Sequence, residues 1–246
     1  MDTPTPTPTP AARRFDLVMF DLDGTLVATA PEIADAVNDT LRRFALPPVG
    51  EAQATLWIGH GSHRLLAQAV ASASGTDVAV VRAAPTWALI AEAFDTFYRQ
   101  RCGTRSSPYP QVRQTLDALR SQGVKLAVVT NKEHRHAQTV LAAHHLDGLF
   151  DLVLGGDTAP APKPDAGGIL HCLDVFGVRP ARALFVGDSS IDVAAARNAQ
   201  VPVWALSYGY NGGQPIHASR PERVIDSLAA LLEPGADASR ITREPP

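Results

Sequence analysis

FDLVMFDLDGTLVATAPE, residues 15–32, is the stretch whose reading decides the fold. Its first six residues are mostly apolar strand formers, and they deliver two carboxylates, Asp21 and Asp23, into a Gly-Thr turn. Alternate residues of an extended chain point to one side, so both carboxylates can face a single reacting group. One can then attack while the other moves protons. Gly24 permits an unusual turn and brings a backbone N–H close to an anion. The same letters also spell an ordinary strand followed by an Asp-rich turn, and the rest of the chain must decide between the two.

Four more apolar runs follow, at 124–130, 152–154, 183–186 and 201–206. Their hydrophobicity is continuous rather than alternating, as in strands covered on both faces. Helical patterns fall between most of them. Pro110 can open a helix with the stripe Val112, Leu116 and Leu119, stopped by Gly123. A second covers 134–145, and a third carries Ile169, Leu170, Leu173 and Phe176 and ends at Gly177. The fourth, after Asp188, carries Ile191, Ala194, Ala195 and Ala199. Strands alternating with helices predict an α/β fold with a doubly wound parallel sheet.

The first connection departs from this rhythm. Roughly eighty residues separate Asp23 from the helix leading into 124–130, where a βα loop usually has about 2–6. Ile33, Val37, Leu41 and Phe44 share one helical face there, with Pro31 near the start, and Trp87, Ile90, Phe94 and Phe97 share another. Segments 56–58 and 65–70 lie between them. The pattern predicts an all-helical domain at 28–105, inserted into a core made of 13–27 and 106–233. Its hinges fall near 27–31 and 103–110, so it can close over a pocket and exclude water. The Thr-Pro repeat of 1–12 reads as an extended tail, and the Pro-, Gly- and charge-rich 234–246 as a flexible one.

With 45% hydrophobic and 19% charged residues among 246, the composition is that of a soluble globular protein. A net charge of −3 gives no support to a nucleic-acid surface. Cys102 and Cys172 stand apart in apolar surroundings and read as buried free thiols of a reducing compartment. No run is long enough to span a membrane, and the N-terminus lacks the apolar region of a secretory signal. A cytoplasmic monomer or homodimer acting on a small molecule is expected, with neither nucleic acid nor membrane as partner.

In an open parallel sheet, reactive groups gather beyond the carboxyl ends of the strands, where strand order reverses. With 15–20 central, flanked by 124–130 and 183–186, three strands end in polar residues: Asp21 and Asp23, Thr130 and Asn131, and Asp188. Asp21 and Asp188 can share one Mg²⁺ ion, although Asp188 is also placed to cap the following helix. Asp192, one turn on, reads as a supporting ligand or as a favourable acid in a first helical turn. Thr130 and Asn131 can hold phosphate oxygens or simply cap a helix. Lys163, between prolines in APAPKPDA, can neutralise phosphate charge or be a solvated loop lysine. His134, His136, His144 and His145 diverge around a helix and read as surface residues.

The ordered set DLDGT, VVTN, PKPD and GDSSID resembles the four motifs of the haloacid dehalogenase superfamily, across about 15–232. More narrowly, DGTLVATAPEI, WIGHGSHRLL, LDGLFDLVLGGDT and GYNGG followed by Pro215-Ile216 resemble the bacterial phosphoglycolate phosphatases. The resemblance implies a Rossmann-like core with an inserted helical cap that selects the substrate. It implies that Asp21 is the nucleophile forming an aspartyl-phosphate, and that Asp23 protonates the leaving alkoxide and then activates water. It implies Mg²⁺ held by Asp21, the main-chain carbonyl of Asp23 and Asp188, with Gly24, Thr130, Asn131 and Lys163 cradling the phosphoryl group. His60, Ser62 and Arg64 are the polar candidates in the cap. Arg64 can pair with a substrate carboxylate or stand in solvent.

The implied reaction is hydrolysis of 2-phosphoglycolate. Another small phosphate ester, or a sugar phosphomutase on the same fold, is the alternative. A dehalogenase would have no alkoxide for Asp23 to protonate, and a phospho-Asp regulatory module needs a long-lived acyl phosphate and no large cap. The sequence departs from the family pattern twice. Ala28-Thr29 replaces Asp-Ser, and Ala166-Gly167-Gly168 follows the lysine loop, where glycines weaken a helix and predict added mobility.

Overall fold

The protein is described by a computed structural model over residues 14–233; both predicted tails, 1–12 and 234–246, lie outside the described residues. After β1 (Leu17–Phe20) comes a two-residue strand, β2 (Val27–Ala28). Five helices follow, α1 (Ala30–Arg43), α2 (Glu51–Thr55), α3 (Ser62–Ser74), α4 (Val78–Ala83) and α5 (Trp87–Arg101), and the chain returns through β3 (Ser107–Pro108). From there helices and strands alternate: α6 (Val112–Ser121), β4 (Lys125–Val129), α7 (His134–Ala143), β5 (Leu152–Leu154), α8 (Gly167–Phe176), β6 (Ala183–Gly187), α9 (Ser190–Asn198), β7 (Val203–Leu206) and β8 (Arg223–Ile225).

The large sheet has six strands in the order β5-β4-β1-β6-β7-β8, all paired in parallel. The expected doubly wound α/β sheet is therefore present, with β1 flanked by β4 and β6. Phe20 is level with Val128 on one side and Val186 on the other. The residues just beyond these three strands consequently meet at one edge. Both faces of β1 are buried, which explains its unbroken hydrophobicity. Leu17 and Met19 pack with Ile169 of α8 and Val193 of α9. Val18 and Phe20 belong to the opposite core with Leu116 of α6 and Val140 of α7.

The sheet has one strand more than the five predicted. β8 is three residues long inside RPERVIDS, too short and too charged in its flanks to stand out as a strand. The predicted hinges are also more ordered than loops: β2 and β3 pair antiparallel, Val27 opposite Pro108 and Ala28 opposite Ser107. Two residues offer no alternation to read.

The stretch between β2 and β3 is made of the helices α1–α5. Pro31 lies in the first turn of α1, Glu32 beside it and Arg42-Arg43 in the last turn, charges that suit the helix dipole at both ends. Its buried stripe of Ile33, Val37 and Leu41 packs against Ile90, Phe94 and Tyr98 of α5. Tyr98, rather than the predicted Phe97, completes the α5 face. The glycines after the lysine loop occupy the first turn of α8, not its interior. A Cβ at Gly168 would come within 2.8 Å of Val129 Cγ1, so the residue serves close packing of helix on sheet. Among the described residues, no helix is long and apolar enough to cross a membrane.

Candidate active site

Asp21 follows β1, Thr130 follows β4 and Asp188 follows β6, so the sheet alone brings three separated motifs to one edge. Asp21 is buried, and its Oδ1 accepts the Leu22 N–H at 2.7 Å. Lys163 reaches the same atom at 2.9 Å and donates to Asp192 Oδ1 at 2.7 Å. The lysine is buried too; burial alone would pull its pKa down, but Asp192 and Asp21 outweigh that and hold it above the ordinary value. Burial pushes the Asp21 carboxyl up to about 6, against the pull of Lys163. Asp188 is raised well above the carboxylate range by burial and by the neighbouring Asp192 and Asp21.

Asp188 is held from three sides. The Thr25 hydroxyl donates to Oδ1 at 2.5 Å, and the Tyr210 N–H donates to Oδ2 at 2.5 Å. Gly24 (φ +86°) and Gly209 (φ +99°) press bare backbone against the carboxylate; a Cβ on either would lie 2.4 Å from Oδ2. Only glycine adopts such positive φ without strain while leaving this room. Asp188 is not the cap of α9. That role falls to Ser189, which exchanges hydrogen bonds with Asp192 in a capping box.

Asp21, Asp188 and Asp192 each offer an oxygen within 4.8 Å of the other two. Hard oxygen donors and closely spaced carboxylates suit a divalent cation, which would also relieve the cost of burying two charges of one sign. Asp192 is already engaged: it takes hydrogen bonds from the Asp188 and Ser189 N–H groups, the Ser189 hydroxyl and Lys163. It thereby links Lys163 to the start of α9, and it stands with Asp21 and Asp188 in the acidic group that could hold an ion.

The Asp23 carboxylate turns another way. Its Oδ1 accepts the Thr29 hydroxyl at 2.7 Å and lies 2.8 Å from Lys132 Nζ. Thr29, at the first departure from the family pattern, therefore supplies the hydroxyl on Asp23. Lys132 is buried and also donates to the Tyr98 hydroxyl of α5. Burial would lower its pKa, but the Asp23 carboxylate outweighs this and keeps it an ammonium. Sequence reasoning missed Lys132 and Tyr98. The available signal was a lysine immediately after the strand-end Thr-Asn.

Asn131 does not cap α7, whose N-cap is Glu133. Its amide nitrogen donates to the carbonyls of Gly59 and Lys163, at 2.9 Å each, and its oxygen accepts the Lys163 N–H at 2.8 Å. One side chain thus ties the β4 end, the lysine loop and the helical insertion together. Ser62 of α3 donates to Glu133, a second contact between insertion and core.

Between them lies a cavity of about 40 Å³. Its floor is Asp21, Asp23, Thr130, Asn131 and Lys132, and its roof includes Ile33, Ile58, Leu65 and Phe94. Of the predicted polar residues in the insertion, Ser62 lines it, whereas Arg64 is exposed on α3 and outside the lining. His136 is buried, contrary to expectation, with its ring 4.7 Å from that of Tyr98 and Nε2 3.1 Å from Asp95. Cys102 and Cys172 are buried free thiols as expected.

A sequence profile of the haloacid dehalogenase-like hydrolases matches residues 18–206. The chain belongs to this family. It is 42% identical over 219 residues to a phosphoglycolate phosphatase of Haemophilus influenzae, covering 89% of this chain and 97% of that one. It is likewise 42% identical over 221 residues to a phosphoglycolate phosphatase of Pseudomonas putida, covering 90% and 80%. Among solved structures, a predicted phosphoglycolate phosphatase from Haemophilus somnus 129PT superposes with a TM-score of 0.84 at 37% identity, covering 90% and 98%. The match to this hydrolase family takes in Asp21, Asp23, Lys132, Lys163, Asp188 and Asp192.

Proposed function

We propose that the protein hydrolyses small phosphate monoesters, 2-phosphoglycolate foremost, through an aspartyl-phosphate on Asp21. The single observation that carries this reading is the division of labour between the two acids after β1. Asp21 faces Lys163 and the Asp188–Asp192 cluster, where phosphate and cation charge belong. Asp23 faces away, toward Thr29 and Lys132. Asp21 attacks phosphorus, and the ester P–O bond breaks as Asp23 gives its proton to the departing oxygen. Asp23 then accepts a proton from the water that attacks the acyl phosphate, returning free Asp21 and inorganic phosphate. Lys163 offsets the phosphoryl charge, and Thr130 lines the same floor; the Thr130 and Gly24 N–H groups are given to the carbonyls of Leu154 and Val27, so neither backbone is the phosphate donor the sequence suggested.

Mg²⁺ suits the Asp21–Asp188 pair, with the Asp23 carbonyl as a third oxygen, and it would supply charge neutralisation for the phosphoryl group. In this reading the 28–105 helices act as the cap and the remaining described chain as the catalytic core. Relatives acting on phosphoglycolate at about 42% identity support the substrate class.

Phosphate release measured with purified protein tests the reading. Asp21→Asn should lose at least about 10³-fold in kcat, and Asp23→Asn about 10²–10⁴-fold. Chelation of divalent cations should stop turnover and added Mg²⁺ should restore it. Undiminished turnover by Asp21→Asn would remove the covalent route.

A further inference from the structure

Two buried lysines reach the site from different ends. Lys163 is committed to Asp21 and Asp192, on the side where phosphoryl and cation charge gather. Lys132 stands at the other end, 2.8 Å from Asp23, the group assigned to the leaving oxygen. The alcohol part of a bound ester must therefore lie on the Lys132 side of the cavity.

That side is sparsely equipped with charge. Ile33, Ile58, Leu65 and Phe94 form apolar wall. Among the described residues lining the cavity, the charged ones are Asp21, Asp23, Glu133 and Lys132, so Lys132 is the single cation. An alcohol part bearing its own negative charge would lie among the acids Asp21, Asp23 and Glu133, and an anion buried without a cationic partner is expensive. Lys132 can offset that cost. Its Nζ already donates to the Tyr98 hydroxyl, which leaves the hydroxyl hydrogen for a further acceptor. Tyr98 is buried and burial raises its pKa, so the hydroxyl stays protonated. Arg64, the residue the sequence suggested for this task, is exposed and outside the lining.

We propose that Lys132, with the Tyr98 hydroxyl beside it, binds a carboxylate on the alcohol part of the substrate and thereby sets a preference for anionic over neutral phosphate esters. The proposal rests on the phosphatase reading above. It assigns specificity to a core residue at the end of β4, which a residue of the insertion, Tyr98, helps to hold.

The test compares kcat/KM for 2-phosphoglycolate and 2-hydroxyethyl phosphate in the wild type and in Lys132→Met. The variant deprives Asp23 of its cation whichever ester is present, so that effect divides out of the ratio between substrates. The wild type should prefer 2-phosphoglycolate by at least about tenfold, and the preference should fall by at least about tenfold in the variant, mainly through KM. Lys132→Arg should keep part of it. Equal losses on both esters would overturn the proposal and leave Lys132 a positioning residue for Asp23. A wild type that hydrolyses the neutral ester as well as the anionic one would overturn the carboxylate site while sparing the phosphatase reading. Release from neither ester would overturn both.

Lys132 is buried, so a measurement on the wild type alone guards against a variant that does not fold. Glycolate should inhibit hydrolysis of 2-hydroxyethyl phosphate at least about tenfold more strongly than neutral glycolamide. Equal inhibition would overturn the proposal.

Discussion

Two aspartates two residues apart share a turn yet live in different electrostatic surroundings. Asp21 is crowded by other acids and buried, with Lys163 as its counter-charge, whereas Asp23 is held by Thr29 and Lys132. An acid whose pKa is higher in the folded than in the unfolded chain takes up a proton on folding between the two values. For Asp21 that window runs from 3.8 to about 6, so its contribution to stability falls as pH rises through the window and stays unfavourable above it. In chelator at pH 7.5, Asp21→Asn should therefore melt several degrees above the wild type, and the gap should close toward pH 4. Lys163 retains Asp192 as an anionic partner in that variant. A lower melting temperature for Asp21→Asn at pH 7.5 would contradict the argument. The meeting of Asp21, Asp23 and Asp188 was legible because strand ends in a parallel sheet converge, and the sheet was legible from its apolar runs; Lys163, in the loop between β5 and α8, could equally be read as a solvated lysine, and only the motif resemblance placed it at the site. Lys132 and Tyr98 were not legible, because their meeting depends on how the face of α5 docks against the core.

At the scale of elements, the predicted strands and helices came through where an apolar pattern stood out from its surroundings, as in α1, α6 and the three-residue β5, and were missed where it did not, as in β2, β3 and β8. Glu32 shows what such patterns cannot display. Placed in the first turn of α1, it reads as a dipole-favoured acid, yet it is fully buried. Its Oε2 accepts the N–H groups of Gly103 at 2.8 Å, Ser106 at 3.1 Å and Arg105 at 3.4 Å. One carboxylate thus organises the chain segment that returns from the insertion. Glu32→Ala should cost about 2–3 kcal/mol in denaturant unfolding, because hydrogen bonds to a charged acceptor are lost with their donors still inside. Glu32→Gln, which keeps an acceptor, should lose less. Unfolding curves for the three proteins that coincide would show that the return segment does not need this anchor.

Across the whole molecule, the cavity exists only because the insertion roofs the sheet edge, with Asn131 and Ser62–Glu133 joining the two parts. A cavity of about 40 Å³ is small, and a ring would crowd it more than a short alcohol part would. Hexose 6-phosphates should accordingly show kcat/KM at least about a hundredfold below 2-phosphoglycolate, since closure around the larger ester cannot be completed. Comparable values would mean that turnover does not require the roof to close.

The paired β2 and β3 carry a consequence for descent as well as for motion. Entry and exit of the helical segment are hydrogen-bonded neighbours, Val27 beside Pro108. A different segment could be spliced between them without disturbing the register of the six-stranded sheet or the spacing from Asp21 to Gly24. Such an exchange would remodel the roof, while Lys132, carried at the end of β4, would be inherited with the reaction itself.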